Sequence, residues 1–281
     1  MSDTVIGVVL ACLASCLFNG AIAIQALETR KVPQQHGLRL SLLRRLISRP
    51  RWLGGTALGA MALPLQTAAL LFAPVTVVQP CDAAGLLLLL YLGTRMLGER
   101  VGPREMGGVV AIIAGILIIT LSSPPREVTH PSGSSVLIPL LAVAAVALLP
   151  FALRSVLGAR SLLVVIGAGA AFAVSAFCLK LIADALDRGD WTALVIVLIV
   201  TGAGALVGTL SEQSALQNRQ ATQVAPIIFV VEMLVPIALA LTVVGETWSG
   251  NTGAIAGAIA LTVVGVVILA RTPQLGGLLS G

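Results

Sequence analysis

Four charged side chains stand inside otherwise apolar stretches: Asp82, Lys180, Glu212 and Glu232. Buried in lipid, each would cost about 2.5–3.5 kcal/mol on insertion scales, so each needs a partner, water or a task. Asp82 follows Pro80 by two residues, and a proline removes an intrahelical hydrogen bond and frees a carbonyl to face a cavity. Glu232 lies between Pro226 and Pro236. Two such carboxylates can bind a cation, or take up and release protons as a coupling device. A hard Mg²⁺ ion, which keeps several waters and uses one or two carboxylates, is one cargo that Asp82 and Glu232 allow. The neutral polar residues Asn19, Gln66, Gln79 and Gln213 complete the candidate substrate- or ion-binding set, with interhelical hydrogen bonding as their plain alternative. Lys180 and Asp184, four residues apart, read as a snorkelling structural ion pair. Glu212 reads as an acid that pairs with Arg219 or reaches water.

The elements that carry these residues follow from composition. Of 281 residues 57% are hydrophobic and 10% charged, and the mean hydropathy is +1.03. A water-soluble fold of this size cannot hide so much apolar surface, so the chain is expected to be an integral membrane protein. Stretches long enough for a hydrocarbon core of about 30 Å run at 4–25, 52–72, 74–97, 106–123, 135–153, 161–185, 191–212, 222–244 and 252–270. They lack period-2 alternation, so the expected fold class is all-α with nine transmembrane helices. Cys12, Cys16, Cys81 and Cys178 fall inside these runs and read as packing residues. His36 and His130 lie in separate loops, and no hydrolase, metalloprotease, P-loop or dinucleotide pattern is present, so an intramembrane enzyme is disfavoured and no cofactor is expected. Aromatic residues make up 4%, too few for a cage around an organic cation.

The net charge of +5 sits in short loops beside apolar runs, which argues for membrane orientation rather than nucleic acid. With nine spans, 14 of the 17 Lys and Arg residues fall in the odd-numbered loops and at the C-terminus. This partition places the N-terminus outside and the C-terminus in the cytoplasm of a multi-pass plasma-membrane (inner-membrane) protein. Residues 36–51 hold five Arg and are expected to lie on the membrane surface, burying Leu38, Leu40, Leu43 and Ile47 while Arg meets lipid phosphate. A solvated basic loop is the alternative.

Sliding the chain along itself by 147 residues brings Gly55 onto Gly202, Gln66 onto Gln213, and Gly98-Glu99 onto Gly245-Glu246; beyond a short insertion the offset becomes 150, with Gly107 on Gly257 and Gly115 on Gly265. Spans two to four thus match spans seven to nine. Five is odd, so the copies are expected to be inverted: a first repeat over 1–130, a linker helix within 131–160 and a second repeat over 161–281. Inverted repeats in membrane proteins are associated with transport at the plane where the copies meet. Glu232 falls on Gly85, nearly one helical turn beyond Asp82, so the two acids would converge on one central cavity. Small-residue spacings at Gly55/Gly59, Gly204/Gly208 and Gly253/Gly257 suit close helix approach.

Residues 72–119 contain an apolar span that ends in Leu97-Gly98-Glu99-Arg100 and precedes a Gly-rich span, and 221–270 repeat the pattern with Val244-Gly245-Glu246. This resembles the EamA-like halves of the drug/metabolite transporter superfamily. The basic first loop, Arg-Pro-Arg-Trp at 49–52 and Ala-Pro-Val-Thr-Val-Val-Gln-Pro at 73–80 are most similar to the NIPA-type magnesium-transporter branch and its bacterial relatives. The resemblance implies a small-solute permease, with Mg²⁺ as one branch's cargo and a lipid or lipid-linked-sugar flippase as another reading. The expected partners are a small-molecule or ion substrate and the lipid bilayer, with a homodimer as a further possibility.

Overall fold

The computed structural model describes residues 2–72, 75–122, 133–157, 161–243 and 252–271, and all regular structure among them is helical. The side chains of residues 75–84 and 179–188, and of some residues beside the gaps, lie outside the description. The helices are α1 (Ser2–Thr29), α2 (Leu40–Ile47), α3 (Pro50–Phe72), α4 (Val75–Met96), α5 (Pro103–Ser122), α6 (Gly133–Ala152), α7 (Arg154–Leu157), α8 (Leu162–Arg188), α9 (Trp191–Leu216), α10 (Ala221–Val243) and α11 (Thr252–Ala270). Each long helix falls on one of the apolar stretches. The segments Val5–Thr29 and Trp191–Leu216 are long and apolar enough to cross a bilayer. Large apolar side chains face outward along the long helices, among them Val9, Met61, Leu63, Leu141, Ile199 and Val264, a surface that water would penalise.

Packing pairs the helices in two similar sets. α1 lies against α3 and α4, and α8 lies against α9 and α10, while α6 adds to the outside of α8. Missing side chains permit the closest approaches: Gly55 meets Ala21, Ile24 and Gln25 of α1, and Gly204 and Gly208 meet Ser175 and Phe172 of α8. The third small-residue pair behaves differently, since Gly257 has nothing within 4 Å of a Cβ position.

The two sets join where α5 crosses α11. A Cβ on Gly108 would stand 3.2 Å from the Gly265 carbonyl oxygen, and one on Gly115 would stand 2.8 Å from the Ala258 carbonyl oxygen and collide with Thr262. A Cβ on Gly265 would stand 2.8 Å from Ile112. Residue numbers rise along α5 as they fall along α11, so the two run antiparallel. Under the offset of 150, Gly108 corresponds to Ala258, Ile112 to Thr262 and Gly115 to Gly265. The contact Gly108–Gly265 is therefore the image of Ala258–Gly115, and Ile112–Gly265 the image of Thr262–Gly115. Reciprocity of this kind is the mark of a two-fold contact.

One end of the bundle collects the basic connections. Arg30 after α1, the α4–α5 turn and the α9–α10 turn meet there, Phe151 of α6 packs beside α2, and Leu269 near the end of α11 packs on Gly108 near the start of α5. We refer to this as the basic end.

The structure corrects the expected burial of Leu38 and Leu43 in lipid. Leu42, Leu43 and Leu46 of α2 are buried against Val32, Trp52, Leu210 and Phe151, whereas Leu40 and Ile47 are exposed. Leu38 is buried too, but in the protein core rather than in lipid. The helix therefore covers the basic end with one face. Leu38 is held at φ 55, in the left-handed region, where its N–H donates to Ser214 Oγ at 2.8 Å.

Candidate functional site

The Gly-Glu signature has a structural task at the basic end. Gly98 adopts φ 63, a conformation that glycine reaches without penalty, and turns the chain after α4 so that the Glu99 N–H donates to the Gly93 carbonyl at 2.9 Å. The Glu99 side chain, fully buried, is thereby aimed at the first turn of α10. It accepts from the Ala221 N–H (2.6 Å), the Thr222 N–H (3.0 Å) and the Thr222 hydroxyl (2.6 Å). Helix N-termini carry unpaired N–H groups and partial positive charge, so a carboxylate here answers both. Arg30 completes the set with an ion pair to Glu99 and a hydrogen bond to the Leu97 carbonyl at 3.3 Å. Gly93 allows the approach, since a Cβ there would collide with Thr222 and stand 3.0 Å from Glu99 Oε2. Arg219, in the α9–α10 turn, is buried as well, and desolvation lowers its guanidinium pKa from the ordinary arginine value.

Beside this lies a neutral network. Gln213 Oε1 accepts from the Thr29 hydroxyl (2.6 Å) and the Trp52 indole N–H (3.2 Å), and its amide donates to Gln25 Oε1 (2.9 Å). Gln25 in turn donates to the Thr56 hydroxyl at 3.2 Å. One residue of α9 thus ties α1 to α3. Gln217, one turn on, donates to the Val32 carbonyl at 3.1 Å and holds the connector to α2. A further cluster joins Glu28 with Lys31 and Arg49 as ion pairs.

The sequence candidates separate by position. Gln213 belongs to the network at the basic end, where its amide is occupied by protein partners. Asn19 lies deeper, donating to the Ser15 carbonyl at 3.0 Å, with Ser15 Oγ accepting from the Gly85 N–H at 3.1 Å. α1 therefore packs directly on Gly85, the repeat mate of Glu232, and a Cβ on Gly85 would collide with Asn19 and Ser15. Glu232 is partly buried in α10, and Gln66 is partly buried in α3. Gln79 and Asp82 fall in α4, and Lys180 and Asp184 in α8, but their side chains, and Glu246 as a whole, lie outside the described residues.

Glu212 emerges as the described acid coupled to Glu232. It is 9% exposed on α9, and the two carboxylates interact electrostatically. The sequence placed Glu212 near a helix end, paired with Arg219 or reaching water; that its charge is felt by Glu232 of α10 comes from the fold. Two like charges in an apolar setting cannot both stay ionised cheaply. Among the described residues no three His, Cys, Asp or Glu side chains come together in a metal-binding group.

Comparison with known proteins adds sequence likeness alone. No family model matches the chain. A protein of Corynebacterium glutamicum, itself uncharacterized, is 27% identical over 224 residues, 77% of this chain and 76% of that one. No solved structure matches. The functional reading accordingly rests on the packing and the acids.

Proposed function

We propose that the chain is a nine-span plasma-membrane permease of the drug/metabolite transporter type, moving a small solute by alternating access between inverted halves. The observation that carries the reading is the reciprocal α5–α11 crossing: repeat mates meet antiparallel, as they must if two copies thread the membrane in opposite senses. The matched packing of α1 with α3 and α4, and of α8 with α9 and α10, supports it. So does the gathering of the basic loops at one end, which is the cytoplasmic end under the positive-inside rule.

In this reading the structure is closed on the cytoplasmic side. Glu99 and Arg30 belong to the first repeat and the N-terminus of α10 to the second, so their contacts latch the halves together and must part when that side opens. Glu232, Glu212 and Asp82 supply the charge that binds cargo or carries the coupling proton. The Glu212–Glu232 coupling favours a cationic cargo or a proton, which keeps Mg²⁺ as the second reading: a hydrated Mg²⁺ needs one or two carboxylates rather than a closed ligand cage.

The test is purified protein in sealed liposomes carrying a Mg²⁺-sensitive or a pH-sensitive dye, with a panel of small solutes outside. Solute accumulates inside chemically unchanged, and Glu232→Gln abolishes the flux without lowering folded yield. Wild-type flux in Glu232→Gln would remove the carboxylate mechanism.

A further inference from the structure

α2 carries a second face that transport does not use. Ser41, Arg44, Arg45 and Ser48 recur at i, i+3, i+4 and i+7 and so share one side of the helix, away from the buried Leu42 and Leu46. Together with His36 they line a cleft of about 470 Å³. His36 Nδ1 lies 2.9 Å from Ser41 Oγ, which fixes the ring, while His36 Nε2 is buried without a hydrogen-bond partner. Among the described residues the ion pairs engage Arg30, Lys31 and Arg49, and none engages Arg44 or Arg45. The neighbouring cleft differs on this point: it contains Glu28, which pairs with both Lys31 and Arg49.

Two unpaired guanidinium groups beside a hydrogen-bonded His36–Ser41 pair are the donors of a phosphate site, because guanidinium forks match phosphate oxygens; the Ser48 hydroxyl, which donates to the Arg45 carbonyl at 2.8 Å, borders the cleft. We propose that Arg44 and Arg45, with the His36–Ser41 pair beside them, bind a phosphate group, and that its carrier is an anionic phospholipid. Leu40 and Ile47, both exposed, adjoin Arg44 on the helix surface and offer acyl chains an apolar bed beside the headgroup. The site then anchors α2, and through Leu42 and Leu46 the basic end of the bundle, to one leaflet.

The test is thermal unfolding of the full-length protein in non-ionic detergent, titrated with phosphatidylglycerol, with phosphatidylcholine of the same chains, or with inorganic phosphate. Phosphatidylglycerol raises the melting temperature saturably and phosphatidylcholine does not. Arg44→Gln with Arg45→Gln, both exposed, weakens the apparent affinity about tenfold or more, as expected for the loss of two charge-assisted contacts. Arg95→Gln with Arg104→Gln removes equal charge from the same end and leaves the affinity within about twofold, since screened charges outside the cleft contribute little. Leu40→Ser with Ile47→Ser weakens phosphatidylglycerol and leaves inorganic phosphate unaffected. Equally strong stabilisation by inorganic phosphate keeps the phosphate site and overturns the lipid carrier. Equal losses in the two arginine pairs, or no saturation with any phosphate compound, overturn the site.

Discussion

Glu99→Ala tests the latch most severely. The carboxylate is fully buried and takes three hydrogen bonds from the start of α10 in addition to the ion pair with Arg30. Its removal leaves the Ala221 and Thr222 N–H groups and a guanidinium with 18% exposure facing a void. Removing one partner of a buried pair costs about 3–5 kcal/mol, of which loss of a helix cap accounts for about 1. Glu99→Gln keeps the volume and one acceptor oxygen and loses the charge, so it costs about 1.5–3 kcal/mol. Arg30→Gln costs less, because Glu99 keeps its three other donors. Thermal unfolding of purified protein in detergent reads these differences: at roughly 2–4 °C per kcal/mol, Glu99→Ala melts roughly 6–20 °C below wild type, with Glu99→Gln between them. The Arg30→Gln/Glu99→Gln double variant falls short of the summed single effects by about 1 kcal/mol or more, as coupled neighbours do. A Glu99→Ala protein that melts within about 1 °C of wild type would refute the assignment of Glu99 as the cap of α10.

Asp82→Asn lowers liposome flux less completely than Glu232→Gln, since the described coupling of acids runs through Glu212; complete loss in Asp82→Asn with normal flux in Glu232→Gln would reverse the assignment. Gly115→Val collapses folded yield on size-exclusion chromatography because its side chain must displace Thr262 and the Ala258 carbonyl, whereas Gly107→Val, with open space at its Cβ, keeps it; equal yields would refute the close α5–α11 approach. Gln213→Leu strands the Thr29 hydroxyl and the Trp52 indole and costs about 1–3 kcal/mol for each group left unsatisfied; unfolding within 0.5 kcal/mol of wild type, on the order of measurement error, would show the network to be dispensable.

The long helices were legible because apolar runs of about twenty residues without period-2 alternation fit helices rather than strands, and their ends follow the loop charges. The Gly55 and Gly204/Gly208 contacts were legible from spacing alone. The partners of Glu99 were not: the Gly-Glu pattern marked the spot, but that the carboxylate caps α10 depends on a turn bringing residues 122 apart together. Gln213 illustrates the converse. A glutamine in an apolar run carries the same signal whether it waits for a substrate or ties three helices, and the partners Thr29, Trp52 and Gln25 decide that only in three dimensions. α2 was legible as amphipathic, but its eight residues carry two apolar edges, and periodicity does not say which of Leu42/Leu46 or Leu40/Ile47 faces protein. Glu212 escaped because its electrostatic interaction with Glu232 joins two helices and leaves no spacing signal within either.

The central claim is that the two repeats thread the membrane in opposite senses. It is tested most directly by single-cysteine reporters, on a background lacking Cys12, Cys16, Cys81 and Cys178, placed in the loops that hold Glu99 and Glu246 and labelled in intact cells with a membrane-impermeant maleimide. The account predicts labelling beside Glu246 from outside and beside Glu99 only after the membrane is opened. Labelling of both from the same side would contradict it.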